Sequence, residues 1–514
     1  MTTPLEVELK LELPLSALRQ FRKLALIREL GASAKRTTQI SVYFDTDRYK
    51  LRRHGLALRV RRLGDHYVQT IKATHNSNIL VRDEWESEIA GAEPDLQQAR
   101  RTALERFLTG KFRRKLKPQF ETRVRRTVFP LERDGAVIEL ALDVGAIETG
   151  AASMPLCELE LELKHGDKSH LFDVARLIAR ALPAQLALTS KSERGYLLCD
   201  GAQGRPAKFA AVALVPEGPV REAFREIGRA CLQHVVGNEP AVLKDDAEGV
   251  HQMRLGLGRL RTAISLFAAI LQDAQTEKIE AELEWFANEL GRARELEALM
   301  PRAIKPVRPR RSGWDDIPKL SRQFAGRRVA ALARVREAIA SQRYRLLKID
   351  IAAWLEVGAW AAPQDALVRD CGELPIKIFA AEQLSARRRN IRKRAKSFAT
   401  LDVRRRHKLC VQAKELCDAT DFFASLFSGK RADKRRKKFL AALAMLQDRL
   451  SDLDDIGIDG NTIGASGQAR RSTGRKKAFA AGAPTGRQHV NAEALLATTE
   501  EALDRFAKAK PYWG

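Results

Sequence analysis

The stretch Leu5-Glu-Val-Glu-Leu-Lys-Leu-Glu-Leu13 alternates charged and apolar residues with a period of two. In a β-strand this period places Glu6, Glu8 and Lys10 on one face and the apolar residues on the other. An exposed edge strand can carry the same pattern, so this stretch alone leaves a structural and a functional interpretation open. In the functional interpretation, the carboxylates form a face that holds hard divalent cations, which prefer oxygen ligands.

A second alternating stretch, Leu156-Cys-Glu-Leu-Glu-Leu-Glu-Leu-Lys164, lies far along the chain. It predicts another strand, with Glu158, Glu160 and Glu162 on one face. Two strands that carry carboxylates in a strongly basic chain are harder to explain as exposed edges. The pair therefore favours a cation site.

Length and charge restrict the class of protein. The chain has 514 residues, more than one ordinary core accommodates, so at least two domains are expected. Its net charge of +26 predicts an anionic partner, such as nucleic acid, polyphosphate or a membrane surface. Aromatic residues make up only 6% and do not interleave with the basic runs, which disfavours binding of single-stranded nucleic acid.

The sequence also bears on location. It has no hydrophobic run long enough to cross a membrane and no signal-peptide pattern. Its six cysteines are scattered without the spacing of a metal site, which is typical of reduced thiols. We therefore expect a cytoplasmic protein without a membrane span.

The first 200 residues are predicted to be rich in strands. Eight candidates lie near 4–13, 38–46, 55–63, 67–74, 82–89, 119–130, 136–144 and 155–165. Helical patterns fit 15–30, 94–108 and 169–182. Eight strands suit a closed barrel, so we expect a multidomain α+β protein whose N-terminal part is an eight-stranded β-barrel with flanking helices.

Acids and bases share the polar faces of these strands. If the faces point inward, bases would hold phosphate oxygens, acids would hold a metal ion, and the ion would bridge the two. Amphipathic strands with their charges in solvent are the alternative for each strand taken singly. Strict alternation in the sixth strand groups Arg123 with Arg125 and places Arg126 on the opposite face, unless a bulge intervenes. The other candidates are Arg59, Arg61, Lys72, Arg82, Glu84, Glu86, Glu139 and Asp143.

Seven motifs together resemble a CYTH domain, the triphosphate tunnel metalloenzyme family. They are Glu6-x-Glu8-x-Lys10, Tyr43-Phe-Asp-Thr46, Gly55-Leu-Ala-Leu-Arg-Val-Arg-Arg62, Gln69-Thr-Ile-Lys72, Glu84-Trp-Glu86, Glu158-x-Glu160-x-Glu162 and Ser190-Lys-Ser-Glu-Arg-Gly195. The family includes inorganic, thiamine and RNA triphosphatases and a class of adenylate cyclases. The resemblance implies an eight-stranded antiparallel β-barrel tunnel that uses Mg²⁺ or Mn²⁺.

The resemblance also implies roles for individual residues. The metal ligands would be Glu6, Glu8, Glu160 and Glu162, with Glu158 as a less certain member. The residues that contact phosphate would be Lys10, Arg59, Arg61, Lys72, Arg123, Arg126, Lys191 and Arg194. The catalytic positions would be Lys10, Glu84, Glu86 and Asp143. Which glutamate activates the water stays open.

The C-terminal half is predicted to be helical after a linker at 201–218. One predicted helix carries His251-Gln-Met-Arg254-Leu-Gly-Leu-Gly-Arg259-Leu-Arg261, whose basic residues fall largely on one face. A related stretch, His407-Lys-Leu-Cys-Val-Gln-Ala-Lys414-Glu-Leu-Cys417, follows much later. A solvated basic face is the alternative for either helix alone, whereas the matching histidines predict an internal repeat that frames one basic surface.

This half resembles the CHAD domain, a helical domain that binds inorganic polyphosphate. The polyphosphate-binding residues would be His251, Arg254, Arg259, Arg261, His407 and Lys414. The chain departs from the family pattern at Gly258, Cys410 and Cys417, where arginines are expected, so we expect polyphosphate binding to be weakened or confined to the first repeat. Zinc binding by the two cysteines is an alternative that their spacing disfavours.

The sequence thus predicts a CYTH tunnel at 1–200, a linker at 201–218 and a CHAD helical domain of two related repeats at 219–514. We expect a cytoplasmic, metal-dependent triphosphatase that hydrolyses inorganic triphosphate to pyrophosphate and phosphate. The helical domain would bind polyphosphate or locate the enzyme on polyphosphate granules, and no specific nucleic acid is expected. The alternatives are a nucleoside or thiamine triphosphatase, an adenylate cyclase, or a binding protein without turnover.

Overall fold

The computed structural model describes residues 5–73, 80–304, 317–468 and 494–513. Within these residues, the N-terminal part is built on one antiparallel sheet of nine strands, β1 to β9. They span Leu5–Glu12, Lys35–Asp45, Leu56–Leu63, His66–Ala73, Val81–Ile89, Lys117–Arg133, Ala136–Glu148, Ser153–His165 and Gln185–Leu186. The eight predicted strands correspond to β1–β8.

The strand order is β5-β4-β3-β2-β6-β7-β8-β1-β9. β1 pairs with β8 over Glu8–Glu12 and also with β5 over Leu5–Val7, so the strands surround an interior cavity. The prediction of an eight-stranded barrel is wrong, because the two-residue strand β9 adds a ninth member beside β1. The observed sheet is therefore a nine-stranded antiparallel sheet.

The alternation in β1 divides its residues between cavity and core. Leu9 and Leu11 are buried, and the amphipathic helix Ser169–Ala181 packs on β1 and β8. Glu6 and Lys10 line the cavity on the other side. The apolar face thus fixes the register that turns the charged face inward.

In the described part of the chain up to residue 200, five helices accompany the sheet: α1 Leu18–Phe21, α2 Ala25–Leu30, α3 Gly110–Arg113, α4 Ser169–Ala181 and α5 Lys191–Cys199. The helix predicted at 15–30 is present as two short helices, and the one at 169–182 is α4. The helix predicted at 94–108 is wrong: this segment consists of turns with a 3₁₀ helix at Glu105–Phe107. Arg101 has a φ of 65°, which an α-helix cannot accommodate.

The remaining described chain is helical, as predicted. Its helices are α6 Val220–Gly237, α7 Glu239–Leu243, α8 Ala247–Leu266, α9 Ala274–Ile304, α10 Ile317–Ala340, α11 Gln342–Val357, α12 Ala366–Glu373, α13 Ile376–Ala395, α14 Val403–Phe422, α15 Lys430–Gln468 and α16 at 494–508. Asp245, with a φ of 61°, separates α7 from α8. No helix of the described residues is long and apolar enough to span a membrane.

The chain divides into two compact units. One comprises Met1–Ala210, Gly228–Arg261 and Leu271–Pro363, and the other comprises Ala211–Ile227, Thr262–Ile270 and Gln364–Gly514. The first unit therefore joins the sheet to most of the helices before α12. The predicted limits at 200 and 219 and the predicted internal repeat stay predictions.

Candidate functional site

The sheet β1–β8 encloses a cavity of about 460 Å³, and every one of these eight strands contributes a side chain to its wall. Seven lysines and arginines and six carboxylates line it. The predicted site residues in this lining are Glu6, Lys10, Arg59, Arg61, Lys72, Glu84, Glu86, Arg126, Asp143, Glu160, Glu162 and Lys191. Glu8, Arg123 and Arg194 lie outside it.

Lys10 lies in a buried chain of ion pairs. Its Nζ is 2.8 Å from Oε1 of Glu8 and 2.6 Å from Oε1 of Glu160. The β1–β8 register produces these contacts, since it sets Lys10 opposite Glu160 and Glu8 opposite Glu162. Solvent screens charges poorly at such depth, so a bound phosphate would interact strongly with Lys10.

Arg126 is the arginine that β6 contributes to the cavity, together with Thr122 on the same face. Arg123 lies on the outer face, with 56% of its side chain exposed, and pairs with Glu121 and Glu148. The predicted contact between Arg123 and phosphate is therefore wrong. The physical reason is that the even-numbered residues of β6 point inward, so no bulge is needed to bring Arg126 to the cavity.

Two carboxylates hold Arg126 in place. Its Nε and Nη2 donate to Oδ1 and Oδ2 of Asp143, each at 2.7 Å, and Nη2 also donates to Glu160. Burial opposes the charge of this guanidinium, but Glu160 and Asp143 more than compensate and raise its pKa. Arg126 thus remains a fixed cation that faces the cavity.

Lys191 reaches the same carboxylates from the first turn of α5. Its Nζ is 2.9 Å from Oδ2 of Asp143 and 2.7 Å from Oε1 of Glu160, and it also contacts Glu158. Burial alone would lower the pKa of Lys191, but Glu160 and Asp143 raise it overall. Ser190 begins the helix by accepting a hydrogen bond from the backbone N–H of Glu193, which positions the lysine.

Arg194 lies behind Lys191. It donates to Glu158, which is fully buried, and its Nη1 is 3.5 Å from Glu12. In this arrangement Glu158 and Arg194 neutralise each other beneath the cavity wall. The geometry gives both residues a supporting position, and the predicted contact of Arg194 with phosphate stays a prediction.

Strands β3 to β5 bring a second group of charges together. Nζ of Lys72 is 2.8 Å from both Glu6 and Glu84, while Arg59 lies 3.3 Å from Glu84 and 3.7 Å from Glu86. Burial would raise the pKa of Glu84, but a hydrogen bond with Glu6 and the charges of Lys72 and Arg59 lower it overall. Both cations are therefore held at the wall by carboxylates.

Arg61 differs from its neighbours in the cavity. Its Nε donates to Oγ of Ser41 at 3.3 Å, and within the described residues it makes no ion pair. Burial and the nearby charges of Arg59 and Arg126 lower the pKa of Arg61 to about 10. Glu86 offsets this effect only in part and without a direct ion pair, and a bound phosphate would supply a direct partner.

The predicted polyphosphate residues lie on α8 and α14. His251, Arg254 and Arg259 are half-buried on α8, and Arg261 is exposed. On α14, His407 is exposed and Lys414 is half-buried. Each set belongs to one helix of 20 residues, in agreement with the predicted helical motifs. Whether these side chains hold a phosphate polymer stays a prediction.

Family models now assign both halves. The model of the CYTH domain matches residues 4–196, and that of the CHAD domain matches residues 226–463. The chain contains a CYTH domain and a CHAD domain. The resemblances that the motifs indicated are thereby confirmed for both domains.

Individual relatives are more distant. An inorganic triphosphatase of Haemophilus influenzae is 37% identical over 83 residues, which cover 16% of this CYTH–CHAD chain and 24% of the relative. The chain thus matches about a quarter of that protein's length. A CHAD domain from the plant Ricinus communis shares 25% identity, with coverage of 58% of this chain and 96% of the other and a TM-score of 0.49.

A putative adenylyl cyclase from Hippeastrum, described as having a dominant triphosphatase activity, shares 20% identity. The match covers 37% of this chain and 95% of the other, with a TM-score of 0.28. Both TM-scores are below 0.5, so these likenesses add nothing to the family assignment.

Glutamates of the CYTH domain gather where β1, β8 and β7 lie side by side. The register sets Glu8 opposite Glu162 and Glu162 opposite Glu139. Burial raises the pKa of Glu162, and the charges of Glu6 and Glu139 raise it further. Lys164, which lies 2.5 Å away, acts in the opposite direction but does not outweigh them. These hard oxygen donors suit Mg²⁺ or Mn²⁺ in their chemistry.

Three of these glutamates form ion pairs with lysines. Lys10 binds Glu8, Lys72 binds Glu6, and Lys164 binds Glu162. Among the described residues, no group of three or more His, Cys, Asp or Glu side chains is arranged to hold a metal ion. Cys410 and Cys417 are among the described residues and therefore belong to no such group. Sγ of Cys417 donates a hydrogen bond to Gln447 at 2.8 Å.

Sequence reasoning missed Tyr43 as a cavity residue. Its ring stacks on Phe120, with centroids 4.6 Å apart, and its side chain lines the cavity beside Arg59. Burial would raise the pKa of Tyr43, but Arg59, Lys191 and Arg61 lower it overall. Its parity in β2 could have revealed it, since Ser41 and Tyr43 share one face.

Proposed function

We propose that this protein is a metal-dependent inorganic triphosphatase that hydrolyses triphosphate to pyrophosphate and phosphate. The observation that carries the proposal is the cavity wall, where Lys10, Arg59, Lys72, Arg126 and Lys191 are preset by carboxylates and Arg61 is left without one. Such a wall can bind several phosphoryl groups in a row. The inorganic triphosphatase among its relatives supports this choice.

The lining favours triphosphate without an organic group. Tyr43 is the single aromatic side chain among the lining residues, and its ring already stacks on Phe120. A nucleobase would therefore find no aromatic platform in this part of the molecule. The wall offers contacts to phosphate oxygens instead.

The reaction is attack of water on a terminal phosphorus atom. A P–O bond to water forms as the bond to the bridging oxygen breaks, and pyrophosphate leaves with the bonding electron pair. The cations hold the chain and the negative charge that develops on the leaving group. In this proposal Glu86, whose side chain is 49% exposed and accepts a hydrogen bond from Thr70, would take the proton of the water.

A divalent ion would complete the site. Glu6, Glu8 and Glu162 would hold it once their lysine partners turn to phosphate, and it would supply charge neutralisation at the phosphate oxygens. Glu160 is less suited to this role, because Lys10, Lys191 and Arg126 already share its carboxylate.

Phosphate release from triphosphate, ATP and thiamine triphosphate, each with Mg²⁺ or Mn²⁺, tests the proposal. We expect release from triphosphate, its loss in Glu8→Ala, and a fall in kcat/KM of about 10- to 100-fold in Arg61→Ala. Arg62→Ala is the matched control, since Arg62 is exposed on the opposite face of β3. Inactivity on triphosphate with both metals would overturn the assignment, and cyclic AMP from ATP would identify a cyclase.

For the CHAD domain we propose polyphosphate binding by the basic residues of α8 and α14. The half-buried positions of His251, Arg254 and Arg259 support a preformed surface. Arg259 is also fixed by its guanidinium, which lies 4.4 Å above the ring of Phe209. Filter binding of the full chain with polyphosphate and DNA in competition tests this, and preferential retention of DNA would contradict it.

A further inference from the structure

A second cavity, of about 680 Å³, lies in the unit that contains α13 and α16. It is formed by α13, the turn at 397–400 and α16. Its size falls in the range of about 300–1,000 Å³ that is usual for small-molecule sites. None of the predicted polyphosphate residues lines it.

One wall is cationic. Arg389, Arg392, Lys393 and Lys396 follow one another on one face of α13 and its C-terminal end, at helical spacing. Within the described residues, these four side chains make no hydrogen bond or ion pair. Cations near a helix C-terminus are stabilised by the helix dipole alone. Cations that served only this purpose would not need to line a cavity.

The opposite wall is different in kind. Here α16 presents Glu500, Leu503, Asp504 and Ala507 on one face. Asp504 is neutralised by Lys508 at 2.5 Å, whereas Glu500 has no ion pair within the described residues. Leu503 and the buried Phe398 form an apolar floor.

We propose that this cavity binds a nucleotide with two or more phosphates, as a site separate from the triphosphatase cavity. The phosphates would lie against the cations of α13. The base would lie on the floor between Leu503 and the small residues Ala395 and Ala399, and Glu500 would accept hydrogen bonds from an amino or hydroxyl group.

The lining distinguishes a nucleotide from a phosphate polymer. A phosphate polymer carries charge along its whole length. Glu500 would therefore repel one part of the polymer, and the apolar floor would leave another part without a hydrogen-bond donor. A nucleotide is anionic at one end only. Its neutral end provides both the apolar faces and the hydrogen-bond donors that this second wall requires.

Calorimetric titration of the full chain with ADP in the presence of EDTA tests the site. We expect binding that weakens by at least about tenfold in Arg392→Ala/Lys396→Ala, because two charge-assisted hydrogen bonds are lost. Lys377→Ala, an exposed lysine at the other end of α13, should change the affinity less than about twofold. Retained triphosphatase activity and an unchanged circular dichroism spectrum would show that the double variant is folded.

Two further titrations make the result specific. Ala399→Trp keeps every cation but fills the cavity, so it should abolish ADP binding. Adenosine and pyrophosphate should each bind at least about tenfold more weakly than ADP, since each occupies one half of the site. Pyrophosphate or polyphosphate that binds as tightly as ADP, or an unchanged affinity in the double variant, would overturn the proposal.

Discussion

Arg126 and Asp143 form a two-point ion pair across neighbouring strands, with Nε and Nη2 of the arginine each 2.7 Å from a carboxylate oxygen of the aspartate. The β6–β7 register sets them directly opposite each other. Asp143 is 1% exposed and also binds Lys191. Burial would raise its pKa, but Lys191 and Arg126 lower it overall. Because both cations occupy its buried carboxylate, we expect Asp143 to position them and not to act as the base.

The first prediction concerns Asp143→Asn. Its amide cannot balance two cations, so we expect kcat/KM for triphosphate to fall about 10- to 100-fold while the acidic limb of the pH–rate profile stays in place. Asp134→Asn, at the exposed β6–β7 turn, is the control. Loss of the acidic limb in Asp143→Asn would show instead that this carboxylate accepts the proton.

The second prediction separates the arginines of β6. Arg126→Ala should lower kcat/KM by at least about tenfold, because a fixed cation leaves the cavity and Asp143 loses one of its two cationic partners. Arg123→Ala and Arg125→Ala remove exposed guanidinium groups from the other face and should change kcat/KM less than about twofold. Steady-state kinetics at one salt concentration measures all three variants. Equal losses of kcat/KM would contradict the finding that Arg126 faces the cavity and that Arg123 and Arg125 do not.

The third prediction concerns acid stability. Burial would raise the pKa of Glu160, but Lys10, Lys191 and Arg126 lower it well below its usual range. A carboxylate with a lowered folded pKa stabilises the protein above its unfolded pKa, about 4.3 for Glu. That stabilisation is lost as the pH falls towards the folded value.

Urea unfolding of wild type and Glu160→Gln between about pH 6 and pH 3 measures this effect. We expect the free energies of unfolding of the two proteins to differ most at the upper end of this pH range and to converge as the pH falls. Glu132→Gln, exposed near the end of β6, should run parallel to wild type. A constant difference between wild type and Glu160→Gln across the range would show that this carboxylate contributes no pH-dependent stability.

The fourth prediction compares the two histidine motifs. Arg254→Ala/Arg261→Ala should weaken polyphosphate binding and reduce the slope of log K against log salt, because fewer counterions are released. Lys414→Ala should have a smaller effect, since Cys410 and Cys417 already leave α14 with fewer cations. Lys278→Ala, exposed on α9, is the control. A larger loss in Lys414→Ala would place the main contact on α14.

Alternation predicted the strands of the sheet and most of the cavity wall, because a period of two fixes which residues share a face. It failed in β6, a strand of 17 residues whose two faces both carry arginines. There the inward face is set by Phe120, which packs against Tyr43 and Tyr196 from distant parts of the chain. No local pattern reports such a contact.

The Tyr43-Phe-Asp-Thr46 motif shows a second limit. Asp45 is fully buried and accepts hydrogen bonds from three backbone N–H groups and from the hydroxyl of Tyr196. It thus fixes the turn after β2 and does not face the cavity, whereas Tyr43 does. The motif identified the family, but only the tertiary structure separates its supporting residue from its cavity residue.

Glu160 is shared by Lys10, Lys191 and Arg126, and this sharing has a genetic consequence. Each cation depends on a carboxylate that the other two also use, so the effects of substitutions at these positions should not add. A second substitution after the first should cost far less than it does alone, and reversing one charge should be tolerated only with another change in the group. The four residues would then be inherited as one set.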